Sequence, residues 1–276
     1  MCRWDDSLSP CRCLFLPPLF PQARLPRWRR GLALALLARS VVSMASGLGD
    51  RAFEETCHIG GNDMRIENFQ IYGNVRPESY SDRMVLNDIR CINSDIEKRF
   101  GPAVNEWALG GIDFDVAEEQ PFLFYPYSRP GTVIIKLAGP ALTSIDFARF
   151  QLAHELVHCI NPSGQKSANV LEEGMAAWYQ QCYSAKVLKG RVQLGDEKYK
   201  AARQLFNKFI KKSKVKDPII KVRTIEPYLY KVTHDVFVNA GISLPSDLEM
   251  SLLTKFEDFR LLKCEKESER CNARSK

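Results

Sequence analysis

Two histidines four residues apart, with a glutamate directly after the first, are the residues of this chain best suited to do chemistry: His154, Glu155 and His158. On an α-helix, residues four apart lie on the same face, so the two imidazoles can hold one metal ion. The glutamate is turned aside, near enough to hydrogen-bond a water on the metal but poorly placed to bind the metal itself. The spacing therefore predicts a zinc site with Glu155 as general base.

The residues around the motif decide between this site and a chance match, in which two histidines belong to the core and the glutamate faces solvent. Thr143 and Ser144 precede a series of apolar residues with helical spacing. Asn161 and Pro162 end that series, because proline disfavours helix at the residue before it. We expect a half-buried helix over residues 144–159, with the motif in its last two turns.

A third ligand must follow downstream, because a catalytic zinc commonly takes three protein ligands and keeps one position for water. A second helix is expected from about residue 170, and Glu172 and Glu173 compete for the role. Asn169 and Glu172 form a possible capping box, which gives Glu172 a structural role at the helix start. Glu173 is then the freer carboxylate and the predicted ligand.

The motif and the following segment Leu-Glu-Glu-Gly-Met-Ala, residues 171–176, resemble the gluzincin metallopeptidases. In that family a His-Glu-x-x-His helix is followed by a helix that carries a ligand glutamate. Carried over by position, the resemblance implies that His154, His158 and Glu173 bind Zn²⁺ and that Glu155 is the catalytic base. The resemblance covers about residues 130–185.

The chain departs from that family at two points. The fourteen residues between His158 and Glu173 form a shorter spacer than is usual in the larger gluzincins. Ala177 stands where thermolysin-like members carry an aspartate that orients a ligand histidine. The residue that would orient a ligand histidine here is therefore left unassigned.

A peptidase of this kind also needs a hydrogen-bond donor for the oxyanion that forms when water attacks the carbonyl. His234 is the predicted donor, with Tyr228 and Tyr230 as alternatives from the same segment. The other interpretation of His234 is a histidine on a helix surface, paired with Asp235.

The elements that must position these residues make an α+β fold, a small sheet with helices followed by a mostly helical part. Such an arrangement agrees with the zincin-like fold that the resemblance implies. We expect an α/β subdomain over residues 44–160, ending in the motif helix, and a helical subdomain over residues 161–276. Further helices are predicted over residues 81–101, 196–212, 225–239 and 248–264, and strands over residues 69–72, 112–116, 122–125 and 132–137.

The strand over residues 132–137 ends a few residues before the motif helix. In gluzincin-like folds a sheet edge beside the active site pairs with an extended peptide substrate. The sequence leaves open which edge of this sheet is free. If this strand is that edge, Ile134→Pro weakens peptide turnover more than zinc content.

The leader, residues 1–43, mixes prolines, arginines and cysteines without a helical or strand period. A short apolar run after an arginine cluster is similar to a signal peptide, whereas a translation start at Met44 would make the leader an over-extended reading frame. We favour the later start. The six cysteines beyond the leader are predicted to be reduced, although they do not by themselves settle the compartment. We expect a cytoplasmic protein, with export as the alternative if residues 1–45 are a signal peptide.

The net charge of the 276-residue chain is +6, and the arginine-rich leader supplies much of it. Nucleic acid is therefore not an expected partner. Residues 198–223 hold ten basic residues and one acidic one, which favours a solvated face over a site for an anionic partner. No run of eighteen apolar residues occurs, so no membrane span is expected.

The sequence thus predicts a zinc-dependent peptidase that hydrolyses peptide or protein substrates. The alternative is a zinc-binding module of the same fold without proteolysis, with a partner-binding or regulatory role. A third class is a helical interaction protein that binds no metal. The intact Glu155 favours the peptidase, because a purely structural zinc site needs no base.

Overall fold

The structure, a computed structural model, describes residues 64–73, 75–164 and 166–260. These residues belong to one compact α+β unit, and the leader lies outside them. The strands are β1 (Arg65–Tyr72), β2 (Ala108–Phe114), β3 (Phe122–Phe124) and β4 (Thr132–Leu137). The helices are α1 (Asp82–Phe100), α2 (Ile145–Cys159), α3 (Val170–Lys186), α4 (Glu197–Lys212), α5 (Pro218–Ile225), α6 (His234–Asn239) and α7 (Ser246–Leu253).

The four strands form one mixed sheet in the order β1-β2-β4-β3. Strands β1, β2 and β4 run parallel, and β3 pairs antiparallel with β4. Strand β4 therefore has a partner on both sides and is not the edge considered from the sequence. Proline at Ile134 would interrupt the inner ladder of the sheet, so that substitution would disturb the fold itself.

Strand β2 begins earlier than the alternating pattern predicts, because it includes Gly110 and Gly111. A Cβ at Gly111 would run into the backbone carbonyl of Gln70 on β1. Glycine is thus required there by the close approach of the neighbouring strand rather than by a turn.

The predicted motif helix is confirmed as α2, with its N-terminus capped by Ser144, whose Oγ accepts from the backbone N–H of Phe147 at 3.5 Å. The expectation that this helix is half-buried is wrong, since every residue from Phe150 to Cys159 is buried. Helix α2 packs against β4, α1 and α3, which leaves its last turns little contact with water. Side chains on more than one face of α2 can therefore belong to the same interior site.

The C-terminal end of α2 is fixed by one buried guanidinium from α5. Arg223 donates to the carbonyl oxygens of Phe100 at 2.7 Å, Gly101 at 2.9 Å, Pro102 at 2.6 Å and Ile160 at 3.1 Å. Burial lowers its pKa to about 10, so the group still carries its charge at neutral pH. Carbonyls at helix C-termini are partly negative, and this cation joins the ends of α1 and α2.

The prediction of a mostly helical C-terminal part is confirmed, but the limits of its helices differ from those predicted. The predicted helix over residues 225–239 is wrong, because the chain leaves α5 at Ile225 and reaches α6 only at His234. Pro227 explains the break, since the residue before a proline avoids the helical region and Glu226 is extended. No helix in the described part of the chain has the length and apolarity needed to cross a membrane.

Gly174 allows α3 and α4 to pack closely. A Cβ at this position would lie 2.6 Å from the carbonyl oxygen of Ala202 and 3.0 Å from the Cβ of Phe206. We expect Gly174→Ala to lower the free energy of unfolding by about 1–3 kcal/mol, measured by urea denaturation.

The matched control for this prediction is Gly195→Ala, because a Cβ at Gly195 meets nothing within 4 Å. Its expected change is within about 0.5 kcal/mol. Equal stability of the two variants would contradict the close approach of α3 to α4.

Candidate metal centre

Three side chains from α2 and α3 meet in one cluster, the two histidines buried and the glutamate partly buried: His154, His158 and Glu173. The two Nε2 atoms lie 3.3 Å apart. Glu173 Oε2 lies 3.3 Å from the Nε2 of His154 and 3.7 Å from that of His158. Bonds of 2.0–2.2 Å at tetrahedral angles place neighbouring ligand atoms about 3.4 Å apart, so these three atoms have the spacing of ligands that share one ion.

The donor atoms themselves test whether an ion fits. Glu173 Oε2 is buried and accepts no hydrogen bond within the described part of the chain. Burial alone would raise the pKa of this carboxyl, but the positive charge of the two neighbouring imidazoles holds it well below its usual range. An imidazole that binds a metal is neutral, so in the metal-bound form the ion itself would take over the compensation of this buried negative charge. The cluster can therefore hold a metal ion, as the sequence predicts.

Glu172 has a role that the sequence analysis missed. Its backbone N–H is capped by Asn169 Oδ1 at 3.0 Å, as the predicted capping box requires. Its carboxylate does not complete that box, because Oε1 lies 2.8 Å from His158 Nδ1. A hydrogen bond from Nδ1 to this carboxylate leaves the Nε2 lone pair directed at the metal position. Glu172 is thus the orienting partner left unassigned by the sequence.

The first turn of α3, which carries both glutamates, is held by residues much later in the chain. Asn169 Nδ2 donates to the carbonyl of Leu229 at 2.7 Å. The backbone N–H of Val170 donates to the carbonyl of Thr254 at 2.9 Å. The start of α3 is therefore fixed from both the α5–α6 connection and the segment after α7.

Glu155 lies beside the cluster without belonging to it. Its side chain is 4% exposed and lines the pocket that opens in front of the two histidines. Burial raises the pKa of its carboxyl, while positive charge on His154 and His158 opposes that rise. Glu155 is thus part of the pocket lining without being a member of the cluster.

The pocket has a volume of about 250 Å³ and brings together β3, the loop between α2 and α3, and the start of α4. Pro121, Phe122 and Leu123 belong to its lining, as do the two histidines. The described residues that line it are Pro121, Phe122, Leu123, Tyr125, His154, Glu155, His158, Ser163, Gly164, Lys166, Ala168, Glu172, Glu173 and Tyr199.

Tyr199, in the first turn of α4, is a second residue that the sequence analysis missed. Its ring packs edge-on against His154, with 5.5 Å between centroids. On Phe256 it packs in a tilted arrangement, with 4.9 Å between centroids. Burial, and then the charges of Glu173 and Glu155, raise the pKa of its hydroxyl well above the ordinary value. The hydroxyl remains protonated at neutral pH and can donate a hydrogen bond.

The predicted oxyanion donor His234 is not brought to this pocket. Its Nδ1 lies 2.7 Å from Glu249 Oε1, and its side chain is 67% exposed. The surface position was the other interpretation of this residue, although Glu249 replaces the expected partner Asp235. Tyr228 and Tyr230 pack against each other, 5.8 Å between centroids, and are likewise absent from the pocket lining.

Comparison of the chain with protein-family models, with curated proteins and with solved structures finds no match. The geometry of the cluster and its pocket is therefore the basis for any assignment of function.

We expect Glu173→Ala to lose zinc binding and Glu172→Gln to weaken it by about 10–100-fold, because the first removes a ligand and the second the partner of a ligand histidine. Zinc affinity measured by competition with a chromophoric chelator checks both values. Glu67→Gln, a change at an exposed residue far from α3 in the chain, is the control and should bind as wild type. Wild-type affinity in Glu173→Ala would exclude that carboxylate as a ligand.

Proposed function

We propose that the protein is a zinc-dependent peptidase of gluzincin type, with a zincin-like arrangement of sheet and helices. The observation that carries the proposal is the position of Glu155, a buried carboxylate beside a two-histidine, one-glutamate cluster and at the wall of an open pocket. A site that only stabilised the fold would need neither the pocket nor the extra carboxylate.

Zinc is the metal that this donor set favours, because two imidazole nitrogens and one carboxylate oxygen at tetrahedral spacing are ligands of catalytic zinc. When bound by His154, His158 and Glu173, it would polarise a carbonyl and lower the pKa of water toward neutrality. Glu172 contributes by holding His158 in the tautomer that binds metal.

Glu155 acts as general base and then as general acid. Its carboxylate takes the proton from the attacking water and passes it to the leaving amine. Burial raises the pKa of its carboxyl, which favours uptake of the proton from water. The same residue can therefore serve both steps.

Tyr199 takes the place of His234 as the proposed oxyanion donor. It lines the pocket, contacts His154 and keeps its proton. A protonated hydroxyl in a buried site stabilises a developing negative charge more than one in water does.

The position of strand β3 supports the proposal that the substrate is a peptide. Among the described strands it pairs only with β4, so its outer edge offers backbone donors and acceptors. Phe122 and Leu123 of that strand line the same pocket as the two histidines. An extended peptide that added to this edge would pass the metal position, and main-chain hydrogen bonds would bind it regardless of its side chains.

Glu155→Gln should lower peptide turnover by at least about 10²-fold, because the amide cannot accept the proton. Zinc content should equal that of wild type, since Glu155 is not a ligand. The measurements are cleavage of a peptide library by the zinc-loaded protein, followed by mass spectrometry, and metal analysis of the same samples. Retained turnover would show that another group is the base.

Tyr199→Phe should lower kcat by about 10²–10³-fold with little change in KM, because the lost hydrogen bond forms in the transition state. His234→Ala should leave both constants near the wild-type values, because that side chain points to Glu249. A large loss of kcat in His234→Ala, together with a normal kcat in Tyr199→Phe, would identify His234 as the oxyanion donor instead.

A further inference from the structure

Lys166 is the one cationic side chain that the structure places in the pocket lining, apart from the metal-binding histidines. It lies in the loop between α2 and α3, on the exposed side of the pocket. Within the described ranges it forms no ion pair. Glu257, which reaches the same loop, is engaged by Ser167 Oγ at 3.0 Å and by Lys255 Nζ at 3.6 Å.

The loop that carries Lys166 is anchored on both sides of this residue. Ser163 Oγ donates to the Lys166 carbonyl at 2.8 Å, and the Lys166 N–H donates to the Ser163 carbonyl at 3.4 Å. On the other side, the Ala168 carbonyl accepts from the backbone N–H of Phe256 at 2.8 Å. The base of the lysine side chain therefore has a defined place at the rim of the pocket.

The acidic side chains of the pocket are all engaged in the metal site or its chemistry. Glu173 belongs to the cluster, Glu172 holds His158, and Glu155 faces the pocket as the proposed base. A pocket that bound a free amino terminus would need a further carboxylate to pair with the ammonium group. The described lining contains none, whereas it does contain an unpaired ammonium group.

We propose that the pocket selects peptides that carry a carboxylate close to the scissile bond, and that Lys166 binds this carboxylate. The inference rests on the proposed peptidase function and specifies its substrate class. Either of two groups of a peptide can supply this carboxylate: the C-terminus of a short peptide, or the side chain of an aspartate or glutamate. Both offer the same planar anion to the lysine ammonium.

Matched peptides distinguish these sources and test the preference. Each sequence is prepared with a free or an amidated C-terminus, with a free or an acetylated N-terminus, and with glutamate or glutamine near the scissile bond. We expect one of two changes, amidation of the C-terminus or replacement of glutamate by glutamine, to lower kcat/KM about fivefold or more, mainly through a higher KM. Acetylation should have little effect. Equal cleavage of all acid and neutral forms, or a strict need for the free amine, would overturn the proposal.

Variants assign the preference to Lys166. Lys166→Ala should cleave acid and neutral peptides alike, and Lys166→Arg should retain the preference because it keeps the charge. Lys98→Ala removes an exposed lysine in the last turn of α1, outside the pocket lining, and should behave as wild type. A preference that survives in Lys166→Ala would exclude this residue.

A binding measurement separates failure of this inference from failure of the peptidase function. The zinc-loaded Glu155→Gln variant is titrated calorimetrically with the acid and amide forms of the same peptides, with and without Lys166→Ala. Tighter binding of the acid form, lost with Lys166→Ala, supports the inference even if no peptide in the set is cleaved. Absence of cleavage by wild type would count against the peptidase alone.

Discussion

Five ionisable side chains line one pocket, four of them buried and Glu173 partly buried, and the stability of this region depends on how their charges are compensated: His154, Glu155, His158, Glu172 and Glu173. Removing a charged group from water costs several kcal/mol unless a partner compensates it. The positive charge of two imidazoles, even with both protonated, does not neutralise three carboxylates. A divalent cation at the shared position would compensate the excess negative charge, and its binding would then be coupled to the packing of α2 against α3.

The parts of the site that depend on local spacing could be predicted from the sequence. The i, i+4 histidines, the apolar series after Ser144 and the proline after the helix locate α2 to within a residue. The asparagine cap likewise fixes α3 and the inward direction of Glu173. Helical periodicity and capping act over a few residues, and a sequence displays them directly.

The parts that depend on packing between distant segments could not be predicted in this way. Tyr199 reaches His154 only because α4 packs along α3 at Gly174, and no local pattern marks that contact. Glu172 was assigned to the helix cap because the cap is visible in the sequence. Consecutive residues on a helix point about 100° apart, so both glutamates of the pair could also reach the same neighbouring helix. The adjacency of the two glutamates was therefore the feature of the sequence that could have indicated contact of Glu172 with a ligand histidine.

The anchoring of α3 has a consequence for biosynthesis. All three ligands of the cluster have been made once the ribosome has passed residue 173, but the first turn of α3 is held by the carbonyls of Leu229 and Thr254. The first turn of α3 can therefore make these contacts only after residues 229 and 254 have been synthesised. Complete assembly of the cluster therefore has to await synthesis of nearly the whole described chain, and a polypeptide cut short before Thr254 would lack one of the contacts that hold the first turn of α3.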